Sequence, residues 1–171
     1  QNKGFFVAIK GAVSDGHKFI QSAIIKGAAA IIVEEMPIKL NNDITYIKVE
    51  SSYNALAIVA SNFYNHPSEK IRLIGVTGTN GKTTIVSLLH QLFMLINYKA
   101  GMISTIENKI FDQIISSTHT TPDPLQINYL LNKMVEKGCK FCFMEVSSHA
   151  LSQGRANGLS FSGAVFTNLT Q

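Results

Sequence analysis

Residues 75–84 read G-V-T-G-T-N-G-K-T-T, and their types and spacing suit the holding of a chain of phosphates. The residues just before, 71–74, are apolar apart from Arg72 and read as the end of a buried strand. Afterwards Ile85, Val86, Leu88, Leu89, Leu92 and Phe93 recur at helical spacing. A strand, a glycine-rich turn and a helix, in that order, aim backbone N–H groups and the positive helix end at an anion. Lys82 can reach terminal phosphates, and the Thr83 hydroxyl is placed for Mg²⁺. The spacing departs from the common form: Val76 stands where the first glycine is expected, Gly75 sits one position earlier, and Gly78 adds a flexible point. A chance Gly-Lys-Thr opening an ordinary helix is the alternative, and it leaves the flanking strand and helix unexplained. The expectation is a nucleoside triphosphate (ATP) site on Gly78, Thr79, Asn80, Gly81, Lys82, Thr83 and Thr84, or descent from a chain that had one.

Glu145 ends the apolar run F-C-F-M-E-V and is the sharpest candidate outside that loop. A lone carboxylate there is costly to bury unless it meets a cation or hydrogen-bond donors. One partner is the Mg²⁺ held by Thr83 and the phosphates; the other reading is a carboxylate that caps a helix or pairs with Arg155. Thr120 and Thr121 lie in H-T-T-P-D-P, where a hydroxyl can cap a helix or, with free N–H groups, hold a phosphate. The polar segment S-S-H-A-L-S-Q-G-R that follows Glu145 and Val146 brings Ser147, His149, Gln153 and Arg155 beside the expected nucleotide. Arg155 can clamp a phosphate or carboxylate in two-pronged fashion or serve a surface ion pair. Ser147 with His149 lacks the G-x-S-x-G elbow of a hydrolase nucleophile.

The elements that must position these residues alternate. Strands are expected at 5–9, 30–33 and 44–49, with helices at 19–26 and 53–64, the latter with Ser51 or Ser52 as N-cap. Asn65-His66-Pro67-Ser68 is the best boundary, giving domains 1–67 and 68–171. Beyond it come the loop strand, a helix to about 95, a strand at 100–104, a hairpin at 107–110 and 113–116, a helix from Pro124 to Gly138, and strands at 141–146 and 163–168. Strand–helix alternation implies an α/β fold with a mostly parallel sheet and ligands at the strands' carboxyl ends. The loop, residues 145–149 and residues 167–171 should therefore share one sheet edge.

Composition narrows the functional classes. The 171 residues are 46% hydrophobic and 15% charged, with a net charge of +4 spread over scattered lysines rather than a basic run. That excludes a disordered chain and gives no nucleic-acid footprint. No apolar stretch of about 18 residues marks a membrane span or signal peptide. Cys139 and Cys142 fall at an apolar strand, where residues three apart face opposite sides, so two buried free thiols in a reducing cytoplasm are expected. His17, His66 and His90 have no partners at metal-ligand spacing.

The segments G-T-N-G-K-T-T, H-T-T-P-D-P, M-E-V-S-S-H-A-L-S-Q-G-R and A-V-F-T-N-L-T-Q, in this order, resemble the Mur ligases of peptidoglycan synthesis, most closely their tripeptide-synthetase branch. The opening F-F-V-A-I-K-G-A-V-S-D-G-H-K-F-I-Q-S-A-I-I-K-G-A is similar to that branch's UDP-binding domain. The resemblance covers essentially the whole chain, and E-V-S-S-H-A-L separates it from folylpolyglutamate and cyanophycin synthetases, which share the loop. It implies ATP-dependent amide ligation in the bacterial cytoplasm: ATP phosphorylates the carboxylate of UDP-N-acetylmuramoyl-L-alanyl-D-glutamate, and a diamino acid (meso-diaminopimelate or L-lysine) attacks the acyl phosphate. It puts Lys82 on the phosphates, Thr83 and Glu145 on Mg²⁺, and Thr120, Thr121, Ser147, Gln153 and Arg155 on the UDP-muramoyl peptide. Residues 11–15 match a loop that helps hold the uridine nucleotide.

The resemblance also implies elements that these residues do not contain: a D-S-R-x-V segment before Gly4, a D-H-L-D-Y-H run after Gln171, a carboxylated lysine for a second Mg²⁺, and an amino-acid-selecting domain. The fold expected is thus a small UDP-binding α/β domain followed by an incomplete phosphate-loop ATPase domain, a partial ligase without turnover of its own. The competing readings are another Mur-type ligase, such as the one adding the terminal dipeptide, or a non-catalytic ligase-like scaffold. Intact Lys82, Thr83 and Glu145 speak against the scaffold.

Overall fold

The computed structural model describes residues 4–11, 14–117 and 120–170. They fall into two units, Gln1–Leu56 and Ala57–Gln171.

In the first unit, short β-branched and alanine-rich runs give three parallel strands, β1 (Gly4–Val7), β2 (Ala28–Val33) and β3 (Thr45–Lys48), in that spatial order. The helix expected at 19–26 begins later. The Asp15 carboxylate accepts the His17 N–H and caps a tight 3-10 turn, Gly16–Phe19, and only then does α1 (Ile20–Ile25) start. Ala8, Ile31 and Val33 form a fully buried centre against Phe6, Ile20, Ile24, Ile44 and Tyr46. The Glu34 carboxylate, just past β2, accepts both the Ser52 N–H (2.8 Å) and the Ser52 hydroxyl (2.7 Å). Ser51 Oγ accepts the Asn54 N–H, so both serines act at the start of α2 (Ser52–Phe63), which spans the division.

The second unit is built on a six-stranded sheet in the order β7-β6-β5-β8-β4-β9. Its strands are β4 (Arg72–Thr77), β5 (Ala100–Ile103), β6 (Glu107–Ile110), β7 (Gln113–Ser116), β8 (Phe141–Glu145) and β9 (Gly163–Phe166). β5, β8, β4 and β9 run parallel, and the hairpin β6–β7 extends the β5 edge antiparallel. Side chains alternate faces along a strand. On one face Val76, Met102 and Phe143 pack with Val86 of α3 (Lys82–Leu95). On the other, Leu73, Ile103, Cys142 and Met144 pack with Ile127, Leu130, Leu131 and Met134 of α4 (Pro124–Glu136). Each such side chain contributes about 1.5–3 kcal/mol on burial.

Three local readings change. Asp123, not Thr120 or Thr121, caps α4: its carboxylate accepts the Gln126 N–H at 2.9 Å, and Pro124 takes the first helical position. Cys139 and Cys142 are free and buried as expected, yet they share one core rather than facing apart, because β8 starts only at Phe141. A short helix, α5 (Ser148–Ser152), forms in the polar segment after β8.

Candidate functional site

β4, β8 and β9 are neighbours and parallel, so the segments that leave their carboxyl ends emerge on one sheet edge. β4 delivers residues 78–81. Gly78 has φ +132°, and a Cβ there would strike the Thr167 hydroxyl and the Asn168 backbone, so only glycine fits. Gly81, at φ +84°, is the N-cap of α3. Lys82, Thr83 and Thr84 form the first turn, whose N–H groups have no partner within the helix and face along its positive end. Gly75, one position out of the common pattern, is not part of this loop at all. It lies inside β4, where a Cβ would sit 3.0 Å from the Phe161 ring.

The loop is tied to the tail of β9. Thr79 N–H donates to Asn168 O (2.9 Å), and Asn80 N–H donates to Asn168 Oδ1 (3.0 Å). Thr167 Oγ1 donates to Asn80 O (2.6 Å), and Thr170 N–H donates to Thr79 Oγ1 (3.1 Å). Lys82 Nζ donates to the carbonyls of Gly78 (2.7 Å) and Thr79 (3.0 Å), which holds its ammonium over the loop.

Glu145 is 1% exposed. Strand alternation puts it on the face of β8 shared with Phe143, the face that α3 covers. Its partner is neither a helix end nor Arg155. Oε1 accepts the Thr105 N–H at 2.9 Å and Oε2 accepts the Thr105 hydroxyl at 3.1 Å. A carboxylate offers about four acceptor positions, so these two bonds leave capacity for a cation. Hydroxyl and carboxylate oxygens, the kinds that Thr83 and Glu145 carry, suit a hard ion such as Mg²⁺, which keeps waters and takes phosphate oxygens rather than a full protein cage. No group of three or more His, Cys, Asp or Glu among the described residues is arranged for a metal.

Thr121 joins the remaining candidates. Buried at 1% exposure, it donates its hydroxyl to Glu145 O (3.0 Å) and accepts the Ser147 N–H (3.1 Å). Its own carbonyl accepts Arg155 Nη1 at 2.7 Å, and Arg155 Nε donates to Gln153 Oε1 at 2.8 Å. Gln153 reaches His149 (Nε2 to Nε2, 2.8 Å), while Ser147 Oγ caps α5 through the Ala150 N–H. Thr121, Ser147, Gln153 and Arg155 are thus brought together at the end of β8. Thr120 adjoins them in sequence, and His119 lies outside the described residues. Sequence reasoning assigned no role to Thr105, Thr167, Asn168 or Thr170. The expected meeting of the loop with residues 145–149 and 167–171 on one sheet edge holds, while the individual hydrogen-bond partners within it become visible only in the structure.

In the first unit, Gly11 N–H donates to Ser14 O (3.0 Å) and Gly16 N–H to Ile9 O (2.8 Å), closing the expected uridine loop. Ala12 and Val13 at its tip lie outside the described residues. His17 Nδ1 meets Asp15 Oδ1 at 2.7 Å and its Nε2 accepts the N–H groups of Glu34 and Glu35, a structural role. The His17 backbone and side-chain bonds hold the Asp15 carboxyl below the usual range. A cavity of about 410 Å³ opens beside His17, with Lys18, Gln21, Lys39 and Tyr46 in its lining.

Comparison with protein families places this arrangement. The Mur ligase middle domain matches residues 76–171, and the Mur ligase family catalytic domain matches residues 2–64. The chain belongs to the Mur ligase family. A curated UDP-N-acetylmuramoyl-L-alanyl-D-glutamate–2,6-diaminopimelate ligase of Cytophaga hutchinsonii is 54% identical over 166 residues, 96% of this chain and 34% of that protein. The ligase of the same name from Clostridioides difficile is 51% identical over 96% of this chain and 34% of its own length. This Mur ligase chain therefore spans about a third of the curated relatives it matches. A solved structure of a ligase of that name superposes with a TM-score of 0.78 at 29% identity, over 98% of this chain and 34% of that one. MurF of Thermotoga maritima, solved in complex with ADP, superposes with a TM-score of 0.54 at 27% identity, over 86% of this chain and 30% of that one.

Proposed function

We propose that this chain is the nucleotide-binding and UDP-substrate-binding portion of an ATP-dependent ligase. The enzyme joins 2,6-diaminopimelate to UDP-N-acetylmuramoyl-L-alanyl-D-glutamate in the bacterial cytoplasm. The observation that carries this reading is the 54% identity, spread over 96% of the chain, with a curated ligase of that name. The diamino acid follows the relatives' name rather than any residue of this chain, and the lower TM-score of the MurF neighbour places dipeptide addition second.

The chemistry asks for positioning and charge neutralisation of a phosphoryl transfer, then acyl transfer. The first-turn N–H groups of α3 cradle the ATP phosphates. Lys82 swings from the Gly78 and Thr79 carbonyls onto the terminal phosphates, since the bonds that hold it are to the same loop. Thr83 and Glu145 would hold Mg²⁺, which supplies charge neutralisation on the phosphate oxygens. Arg155, Gln153, Ser147, Thr120 and Thr121 hold the UDP-muramoyl peptide so that its D-glutamyl carboxylate faces the terminal phosphate. The carboxylate oxygen takes the phosphoryl group as ADP leaves. The diamino acid's amine then attacks the acyl carbon, expels phosphate and gives up a proton. Residues 1–67, around the loop at 11–15, act as the domain that holds the uridine end.

The test is ADP release by the intact protein, measured with each substrate omitted in turn. Release that needs both the UDP-dipeptide and 2,6-diaminopimelate, and that falls at least about a hundredfold in Lys82→Ala, is the expected result. Release supported equally by a dipeptide acceptor, or nucleotide affinity unchanged in Lys82→Ala, overturns it.

A further inference from the structure

At the opposite edge of the second unit's sheet, where β4, β8 and β9 begin, lies a groove of about 470 Å³. Its lining brings together Lys70, Arg72 and Lys140 with the hydroxyls of Ser160 and Ser162, and Glu69 is the one carboxylate in that lining. We propose that this groove binds a small phosphate-bearing anion at a site separate from the nucleotide loop.

The cations converge because the fold pins their backbones. Arg72 N–H donates to Lys140 O at 3.0 Å, so the starts of β4 and β8 are locked side by side. The Arg72 guanidinium lies 5.4 Å from the centre of the Phe141 ring, which limits its range of motion. Among the described residues no carboxylate forms an ion pair with Lys70, Arg72 or Lys140. Glu69 cancels one of the three charges and leaves the groove net positive. The backbone N–H groups of Ser160 and Ser162 are already spent on Ser68 Oγ (3.0 Å) and Leu73 O (2.8 Å), which leaves the hydroxyls as the hydrogen-bond donors that these two lining residues can offer. A lining rich in charged donors and poor in acceptors, with one guanidinium fork, matches a tetrahedral oxyanion. The concave shape and modest volume suit a small ligand rather than a flat membrane or a nucleic-acid duplex. The six residues of β4 separate the groove from the phosphate loop by roughly 20 Å, too far for one ligand to serve both.

Lysine footprinting of the intact protein tests this, with acetylation rates read residue by residue by mass spectrometry. Inorganic pyrophosphate is the probe and inorganic phosphate the second arm. Lys82 reports the nucleotide loop separately, and the exposed Lys26 serves as control. The expected result is slower acetylation of Lys70 and Lys140 by at least about threefold at low salt, fading as ionic strength rises. Lys140→Ala should weaken protection of Lys70 about tenfold, the loss of one charge-assisted contact. Glu69→Gln should tighten it about two- to fourfold, a gain that misfolding cannot mimic. Protection confined to Lys82, protection reproduced by chloride at equal ionic strength, or no tightening in Glu69→Gln each overturns the proposal. So does finding Lys70 and Lys140 unreactive before any anion is added, because the rest of the intact protein would then cover the groove.

Discussion

Glu145→Gln separates the two tasks that a buried carboxylate can perform at the end of β8. In the structure both oxygens accept from Thr105, at 2.9 and 3.1 Å, and the residue is 1% exposed. Glutamine keeps the shape, one acceptor for the Thr105 N–H, and an amide that can donate to the Thr105 hydroxyl oxygen. Exchanging two charge-assisted bonds for neutral ones costs about 1 kcal/mol each, roughly 2 kcal/mol together. Against this stands the desolvation of a charge with no cation partner among the described residues, which costs several kcal/mol and is relieved in the variant. The ligand-free variant should therefore be at least as stable as the parent. Adding Mg²⁺ and ADP reverses the order. Saturation at a hundred times Kd stabilises the parent by about 2.7 kcal/mol, and the variant, without its metal carboxylate, should gain less than half of that. Thermal unfolding of the intact protein with and without Mg-ADP reads both differences as shifts in Tm. A variant that is about 2 kcal/mol less stable when ligand-free, with an undiminished Mg-ADP shift, refutes the metal role and leaves Glu145 as a brace for Thr105.

Gly78→Ala places a methyl group against Thr167 and Asn168 at a positive φ, so loop and β9 tail must part; nucleotide affinity, measured by calorimetry, should fall at least about tenfold while the far-ultraviolet spectrum stays that of the parent. The Glu34 carboxyl is held below its ordinary value of 4.5, first by the Ser52 N–H and then by the Ser52 hydroxyl. Its stabilising contribution is therefore present above that value and lost as pH falls through the lowered one, and Glu34→Gln should flatten the acid limb of a thermal-stability profile taken from pH 3 to 7. Burial pushes the thiols of Cys139 and Cys142 up, Cys142 further because it is the more deeply buried and, secondarily, because its neighbour Cys139 adds to the effect. Neither should react with an aromatic disulfide reagent at pH 8 until the chain is unfolded in urea, and prompt labelling of either would contradict the packing.

The elements legible in the sequence were those where local pattern and tertiary demand agree. The hairpin at Glu107–Ile110 and Gln113–Ser116, and the start of α4 at Pro124, are fixed by alternation and by proline, which needs no distant partner. The phosphate loop was legible for the same reason, as glycine, lysine and threonine act through local backbone geometry. What the sequence hid was pairing. Gly75 looked like a displaced loop glycine because nothing local shows that the Phe161 ring lies on it. Thr121 stayed open between a helix cap and a phosphate ligand because the hydroxyl's partners, Glu145 O and the Ser147 N–H, lie 24 and 26 residues away. Glu145 looked isolated because Thr105 lies 40 residues upstream, across β5 and β8. α5 was hidden by a segment too short and too polar to show a periodic face.

The position of the nucleotide loop follows from its neighbours more than from its own glycines. Thr79 and Asn80 spend their N–H groups on Asn168, so β9 sets where the loop stands, and the N–H groups left for an anion are those at the start of α3. On the other side of β4, Thr121 bonds to the backbone on both sides of Val146, at Glu145 O and Ser147 N–H, and takes Arg155 on its carbonyl. One residue, Glu145, thereby belongs to both groups: its side chain lies on the α3 face and its carbonyl is held by the segment proposed to grip the UDP-muramoyl peptide. A shift of residues 120–123 on binding that peptide would move the backbone from which the Glu145 carboxylate projects. Under the proposed function, the metal-binding and peptide-binding groups therefore share a single strand end, at Glu145.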